Sequence, residues 1–296
     1  MESRSTNKLP LVVIVGPTAS GKTGMAMMLA KKYGGEVICA DSRTIYKGMD
    51  IGTAKPTVDE RAEVAHWGLD LVEPNERFTA ADFKRYAEQK VTEIRGRNHI
   101  PFLVGGTGLY VDSILFDYQF DTPGSEMLRK KLNDMTLGEL QRYCEENNIT
   151  LPENNKNKRY LVRAIEQNGI NTKRQIKPVS NSVIVGITTD RDVLRARIAK
   201  RVEQIFNDGV VEEATILGKK YGWDGEAMTG IIYPLVHDYL EGRSTLEATK
   251  ERFAIQDWHL AKRQLTWLRH NPFVKWLSLQ EADKYVSDAL APHNKA

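Results

Sequence analysis

Cysteine is scarce: Cys39 and Cys144 are the only two in 296 residues. Two thiols so far apart make neither a disulfide framework nor a zinc-type spacing, which points to a reducing compartment. An excess of charge of one sign is also missing. Lys and Arg number 42 against 39 Asp and Glu, a formal net charge of +3, so any nucleic-acid surface must come from local clusters and not from a global field. Long apolar runs are absent too. The stretch 11–15 is too short for a membrane span or a signal-peptide core, and the residues before it are mostly polar, so a cytoplasmic protein with no membrane contact is expected. Internal repeats and low-complexity segments are lacking. What is present is ordinary: 41% hydrophobic and 27% charged residues describe a soluble globular chain, long enough for one α/β domain with a substantial insertion.

Residues 11–23, LVVIVGPTASGKT, organise the rest. A run of β-branched and aliphatic residues ends in a loop framed by Gly16 and Gly21, and the pattern G-x-x-x-x-G-K-[ST] is complete. In such a loop (Gly16, Pro17, Thr18, Ala19, Ser20, Gly21) backbone N–H groups curl round a polyphosphate, Lys22 caps it, and the Thr23 hydroxyl ligates Mg²⁺. Residues 24–32 continue as a helix whose N-terminus faces the anion. The ligand is a di- or triphosphate. The chemistry stays open at this point, since the cradle suits nucleoside triphosphates and diphosphate leaving groups equally.

Downstream, EVICAD (36–41) reads as a second buried strand ending in Asp41. Ligands of open parallel sheets bind beyond the carboxyl ends of the strands, so Asp41 projects towards the phosphate loop or, alternatively, caps the next turn with Ser42. Residues 43–57 form a loop rich in Gly, Thr and Lys, and 66–73 suggest another strand. Thr79 and Asp82 make a capping box that opens a helix to about Arg97, with Phe83, Ala87, Val91 and Ile94 on its core face. Residues 100–104 form a strand that runs into Gly105, Gly106, Thr107 and Gly108, a second glycine-rich turn at the same edge. Composition then changes: residues 116–178 are polar, with short helical patterns at 127–132, 137–146 and 158–167. In the last of these, Arg159 and Arg163 join Lys156 and Lys158 in a basic group that is either a solvated face or a phosphate-contact surface, while Leu161, Val162, Ala164 and Ile165 supply the buried side. Residues 182–188 return to strand composition. Asp190 opens a helix with an apolar stripe (Leu194, Ile198, Val202, Ile205, Phe206) and Arg195, Arg197, Lys200 and Arg201 opposite. Further helices are expected at 210–218 and 244–268, and an edge strand at 273–279. The predicted fold is α/β, a P-loop NTPase-like parallel sheet flanked by helices: a core of residues 1–116 and 179–296, and a helical insertion at 117–178.

The ordered set GPTASGKT (16–23), ADSRTIYKGMDIGTAKP (40–56), FTAADF (78–83), PFLVGGTGLY (101–110) and AKRQLTWLR (261–269) closely resembles the tRNA dimethylallyltransferase family. The resemblance implies transfer of a dimethylallyl group from dimethylallyl diphosphate to N6 of the adenosine 3′-adjacent to the anticodon, with Mg²⁺ as cofactor and a monomeric enzyme. It implies that the loop 16–23 holds the departing diphosphate, with Lys22 and Thr23 as catalytic groups, and that Asp41 is the general base. Ser42, Arg43 and Thr44 would read the flipped-out base or its neighbours, and Thr107 would line the same pocket. Arg129, Arg159, Tyr160, Leu161, Val162 and Arg163 would contact the tRNA anticodon stem-loop. The chain departs from the family pattern at 227–240, where Thr229 and Pro234 stand in place of arginines, one of which engages the diphosphate; Lys55 and Arg195 are candidate substitutes. The segment 152–155 is a remnant of a longer family motif. A small-molecule P-loop kinase, a prenyltransferase acting on free adenine nucleotides, and a non-catalytic nucleotide switch are the competing readings. The RNA-type segment 261–269 and the basic insertion argue against the second, and the acid at 41 against the third.

Overall fold

The computed structural model describes residues 9–120, 126–152, 154–166 and 174–293. Glu153 and Gln167, which fall in segments singled out above, lie outside the described residues. The chain divides into two compact units, one made of residues up to Leu115 together with those from Pro178, the other of Phe116–Lys177.

The larger unit contains strands β1 (Leu11–Val15), β2 (Gly35–Ala40), β3 (His66–Trp67), β4 (Ile100–Gly105), β5 (Ser182–Ile187) and β6 (Lys275–Leu277). They form one parallel sheet in the order β3-β2-β4-β1-β5-β6. Every residue of β1 is buried, as its uninterrupted apolar run requires of a strand covered on both faces. Its helices are α1 (Lys22–Tyr33), α2 (Val58–Glu63), α3 (Ala80–Gly96) and α4 (Gly108–Leu115) in the first half of the chain. After the insertion come α8 (Arg191–Asn207), α9 (Val210–Tyr221), α10 (Ile232–Leu240), α11 (Leu246–Arg269) and α12 (Leu279–Leu290). On one face of the sheet α1 and α12 pack Met25, Leu29, Ala282, Val286 and Leu290 against Val12, Ile14, Val37 and Phe102. The capping box of α3 forms as expected, with Thr79 and Asp82 bonding each other's backbone, and its buried residues include Phe83, Ala87, Val91 and Ile94. A further core joins Ile45, Tyr46 and Met49, from the connection after β2, to the apolar stripes of α8, α9, α10 and α11. The connection after β2 is therefore anchored in a helical layer.

The strand expected at 66–73 shrinks to two residues. Gly68 and Asp70 take positive φ (82° and 53°), and beyond them Leu71 and Val72 donate to Ile45 O instead of extending the ladder. Helices α10 and α12 were not anticipated. Pro234 sits in the first turn of α10, where a backbone N–H has no helical partner to lose, so it does not oppose the helix.

The smaller unit holds α5 (Glu126–Asp134), α6 (Leu137–Glu146) and α7 (Lys158–Glu166), close to the three predicted helical patterns. Leu132, Leu140, Cys144, Ile149, Leu161, Val162 and Ile165 form its own core. Among the described residues no helix is long and apolar enough to cross a membrane.

Candidate active site

The loop between β1 and α1 is shaped by two left-handed residues, Ala19 (φ 60°) and Gly21 (φ 90°), of which the second carries the strain without a Cβ. Ser20 is fully buried and its hydroxyl has no hydrogen-bond partner. Lys22 keeps part of its side chain in solvent, but its ammonium group turns back among the loop atoms and donates to Pro17 O at 3.1 Å. Burial there pushes its pKa down to about 8, with Asp41 opposing the shift and Arg201 adding to it. Thr23 follows in the first turn of α1, half-buried.

Two other elements close on this loop. From α8, Arg197 donates to Ser20 O at 3.0 Å and Arg201 donates to the Thr18 hydroxyl. From α11, the Gln264 side-chain oxygen accepts the Thr18 N–H at 2.8 Å, and Trp267 donates its indole N–H to Asp112 at 2.7 Å. The glycine-rich turn after β4 makes room for both side chains. A Cβ on Gly106 would lie 2.4 Å from Gln264 Nε2, and one on Gly108 would lie 1.9 Å from the Trp267 ring. Thus AKRQLTWLR packs on the two glycine loops at once.

Asp41 stands just past the end of β2, and its Oδ1 accepts the Arg43 N–H at 2.8 Å. The capping turn therefore forms, and the charge of Asp41 acts on Lys22. Thr107 joins the same group: its N–H donates to Ala40 O (3.2 Å) and its hydroxyl accepts the Ser42 N–H (3.1 Å). The connection from Arg43 onward is pinned from several sides. Glu213 of α9 accepts the backbone N–H groups of Asp50, Ile51 and Gly52 and the Tyr233 hydroxyl.

Several expected site residues are placed differently. Thr44 is buried, with its hydroxyl directed to Asp41 O, so its side chain does not face a base. Arg43 reaches across to Glu226 O, Ala227 O and the Thr229 hydroxyl, bringing a guanidinium to the segment where the resemblance implies an arginine. Lys55, the first candidate substitute, is engaged elsewhere: its ammonium is buried between Asp50 and Asp70 (2.6 Å each) and Tyr46 O. Arg195, the second, lies over the Trp258 ring at 4.8 Å. The cations that do meet the loop are Arg197 and Arg201. Helical periodicity placed all of these arginines on one polar face, and only the packing of α8 separates them.

In the smaller unit Arg159, Tyr160 and Arg163 point outward, whereas the side chains of Leu161 and Val162 lie in the core at 0% and 5% exposure. Arg129 forms a two-pronged ion pair with Glu166 (2.6 and 2.5 Å), so its guanidinium already has a carboxylate partner.

Residues 44–271 match the family model described as IPP transferase, and residues 9–71 match one described as isopentenyl transferase. The chain belongs to the IPP transferase family. A tRNA dimethylallyltransferase from Geobacillus kaustophilus (strain HTA426) is 38% identical over 94% of this chain and 93% of that protein. The corresponding protein of Geobacillus thermodenitrificans (strain NG80-2) is 37% identical over 93% and 92%. Among solved structures, the full-length tRNA isopentenylpyrophosphate transferase from Bacillus halodurans aligns with a TM-score of 0.74 at 36% identity, covering 97% of both chains. A eukaryotic dimethylallyltransferase acting on tRNA shares the fold, with a TM-score of 0.79 at 21% identity over 96% of this chain and 78% of that one. Family membership agrees with the resemblance carried by the five sequence segments, and the parallel sheet with its flanking helices is the expected α/β fold.

Proposed function

We propose that this IPP transferase moves the dimethylallyl group of dimethylallyl diphosphate to N6 of the adenosine 3′-adjacent to the anticodon of tRNA, releasing diphosphate. The observation that carries the reading is a cationic cradle, Lys22 with Arg197 and Arg201, that has the carboxylate of Asp41 within electrostatic reach at the same sheet edge. The relatives named above supply the prenyl group and the acceptor by their names.

An allylic carbon–oxygen bond breaks readily when the electron pair left on the diphosphate is stabilised. Loop amides, the unpartnered Ser20 hydroxyl and three cations are suited to that charge. The exocyclic amine of adenine forms the new carbon–nitrogen bond and must lose a proton. Asp41 accepts it, held in place by the Arg43 amide on one oxygen. Among the described residues no group of three or more His, Cys, Asp or Glu could hold a metal ion. Thr23, half-buried in the first turn of α1, is the residue that would hold a magnesium ion here, and the ion would supply positive charge to the leaving group. For the tRNA, the outward residues Arg159, Tyr160 and Arg163 offer phosphate contacts and a stacking ring. Along α11 a cavity of about 560 Å³ is lined by His259, Lys262, Arg263, Thr266, Trp267 and His270, a basic and aromatic wall of the kind that suits RNA.

The test supplies labelled dimethylallyl diphosphate and Mg²⁺ with either unmodified tRNA or AMP, and follows ATP hydrolysis alongside. Label in tRNA is expected. Label in AMP alone would move the reading to a free-nucleotide prenyltransferase, and phosphoryl transfer without prenylation would move it to a kinase.

A further inference from the structure

The periodicity of α11 puts Asp257 on its buried stripe, with Phe253 one turn before it and Ala261 one turn after, all at 2% exposure or less. A carboxylate is costly at such a position unless something offsets its charge. Its Oδ2 is buried without a hydrogen-bond partner and lies 3.9 Å from a terminal guanidinium nitrogen of Arg201, whose Nε is likewise buried and unpartnered. The pair is thus held by charge at a distance and not by the short two-pronged contact of a committed ion pair. The same Arg201 donates to Thr18 of the phosphate loop. Lys22 and Asp41 also act on Asp257, while burial pushes its carboxyl above the ordinary range.

We propose that Asp257 is a positioning residue of the diphosphate site, a buried counter-charge that competes with diphosphate for Arg201. This rests on the reading of the loop as a diphosphate holder. Three cations at one loop, Lys22, Arg197 and Arg201, would bind a multiply charged product tightly and slow its departure. A fixed negative charge behind Arg201 weakens that hold without removing the donor that steadies the leaving group. A purely structural Asp257 would have the opposite signature, since its loss would loosen the loop and weaken binding.

The test measures binding of inorganic diphosphate with Mg²⁺ by calorimetry to the full chain, to Asp257→Asn, to Arg201→Gln and to the double variant. Removing one charge a few ångströms from the guanidinium is expected to tighten diphosphate binding about tenfold at a protein-like effective dielectric. With Gln at 201 the same change should alter affinity less than about threefold, because the shared group is gone. In turnover with tRNA, Asp257→Asn should lower both KM for the allylic diphosphate and kcat, as for slower product release. Should the Asn variant fold poorly, Asp257→Ser removes the same charge and serves in its place. Unchanged or weaker binding in the neutral variant, or equal tightening with and without Arg201, overturns the counter-charge. If the full chain itself binds no diphosphate, the reading of the loop fails first and this inference with it.

Discussion

Lys22 is the group whose protonation the site makes measurable. Its pKa in the free protein is about 8, set by burial of the ammonium among loop atoms with Arg201 nearby and only partly offset by Asp41. A bound diphosphate favours the charged form, so binding raises the pKa and affinity must fall where the free lysine has lost its proton. Below pH 8 the lysine is mostly charged and nothing is lost. At pH 9 about ten free molecules carry neutral Lys22 for each charged one, so the dissociation constant should rise about tenfold between pH 7 and 9. The ligand's own ionisation does not mask this, because a terminal phosphate titrates near pH 6. The measurement is calorimetric binding of an unreactive allylic diphosphate analogue, one whose allylic bond does not cleave, across that range, with Lys22→Arg as the comparison. Arginine stays charged throughout, so the variant should bind with a flat profile whatever its absolute affinity. Flat affinity in the unaltered protein would refute the placement of Lys22 against the anion. A tenfold fall that persists in Lys22→Arg would assign the titration to another group.

Asp41→Asn should leave tRNA affinity nearly intact while kcat falls by about two to four orders of magnitude, as for loss of a general base; near-normal turnover would end that assignment. Arg159→Ala should weaken tRNA binding and flatten its dependence on salt, whereas Arg129→Ala should instead lower the melting temperature, because it leaves the buried Glu166 carboxylate unpaired. Gly108→Ala should unseat Trp267, whose ring lies 1.9 Å from the added carbon, and abolish turnover together with part of the stability, as read by calorimetry and activity on one sample. Glu36, at the opposite end of β2, concerns the fold alone. Burial would raise its pKa, but hydrogen bonds from Arg97, His99 and Trp67 outweigh it and hold the carboxyl at about 2, against an ordinary 4.5. Because the folded value is the lower one, this contribution is complete above pH 4.5 and is lost as pH falls towards 2. It amounts to about 2 kcal/mol after allowing for the solvent-exposed partners, and Glu36→Gln should remove that part of the acid-induced decline.

Local patterning was enough for much of this protein. The β1 run, the phosphate loop, the α3 capping box and the three insertion helices each depend on neighbours within a few residues, where apolar period, caps and glycine positions act directly. The strand expected at 66–73 forms only at its start, as β3, because two left-handed residues interrupt it, and an Asp such as Asp70 tolerates that conformation without announcing it. The smaller unit marks a different limit. The same helical period that brought Arg159 and Arg163 outward turned Leu161 and Val162 into the core, so a contiguous motif did not translate into a contiguous surface.

From the sequence alone came the glycine-framed loop with Lys22 and Thr23, the acid at the end of the next strand, and the family to which the chain belongs. Which charges meet that loop was decided only by tertiary structure. Lys55, Arg195, Arg197 and Arg201 are all basic residues that sequence leaves without a partner, yet the first is sealed between two aspartates, the second lies on an indole ring, and the last two reach the loop from 177 and 183 residues away. Asp257 became visible in the same way, as a charge on an apolar stripe whose purpose depends on what α8 presses against it. Residue type and spacing specify what a side chain can do; the packing of distant elements specifies which partner it meets, because electrostatic and hydrogen-bond energies depend on separations that only the folded chain sets.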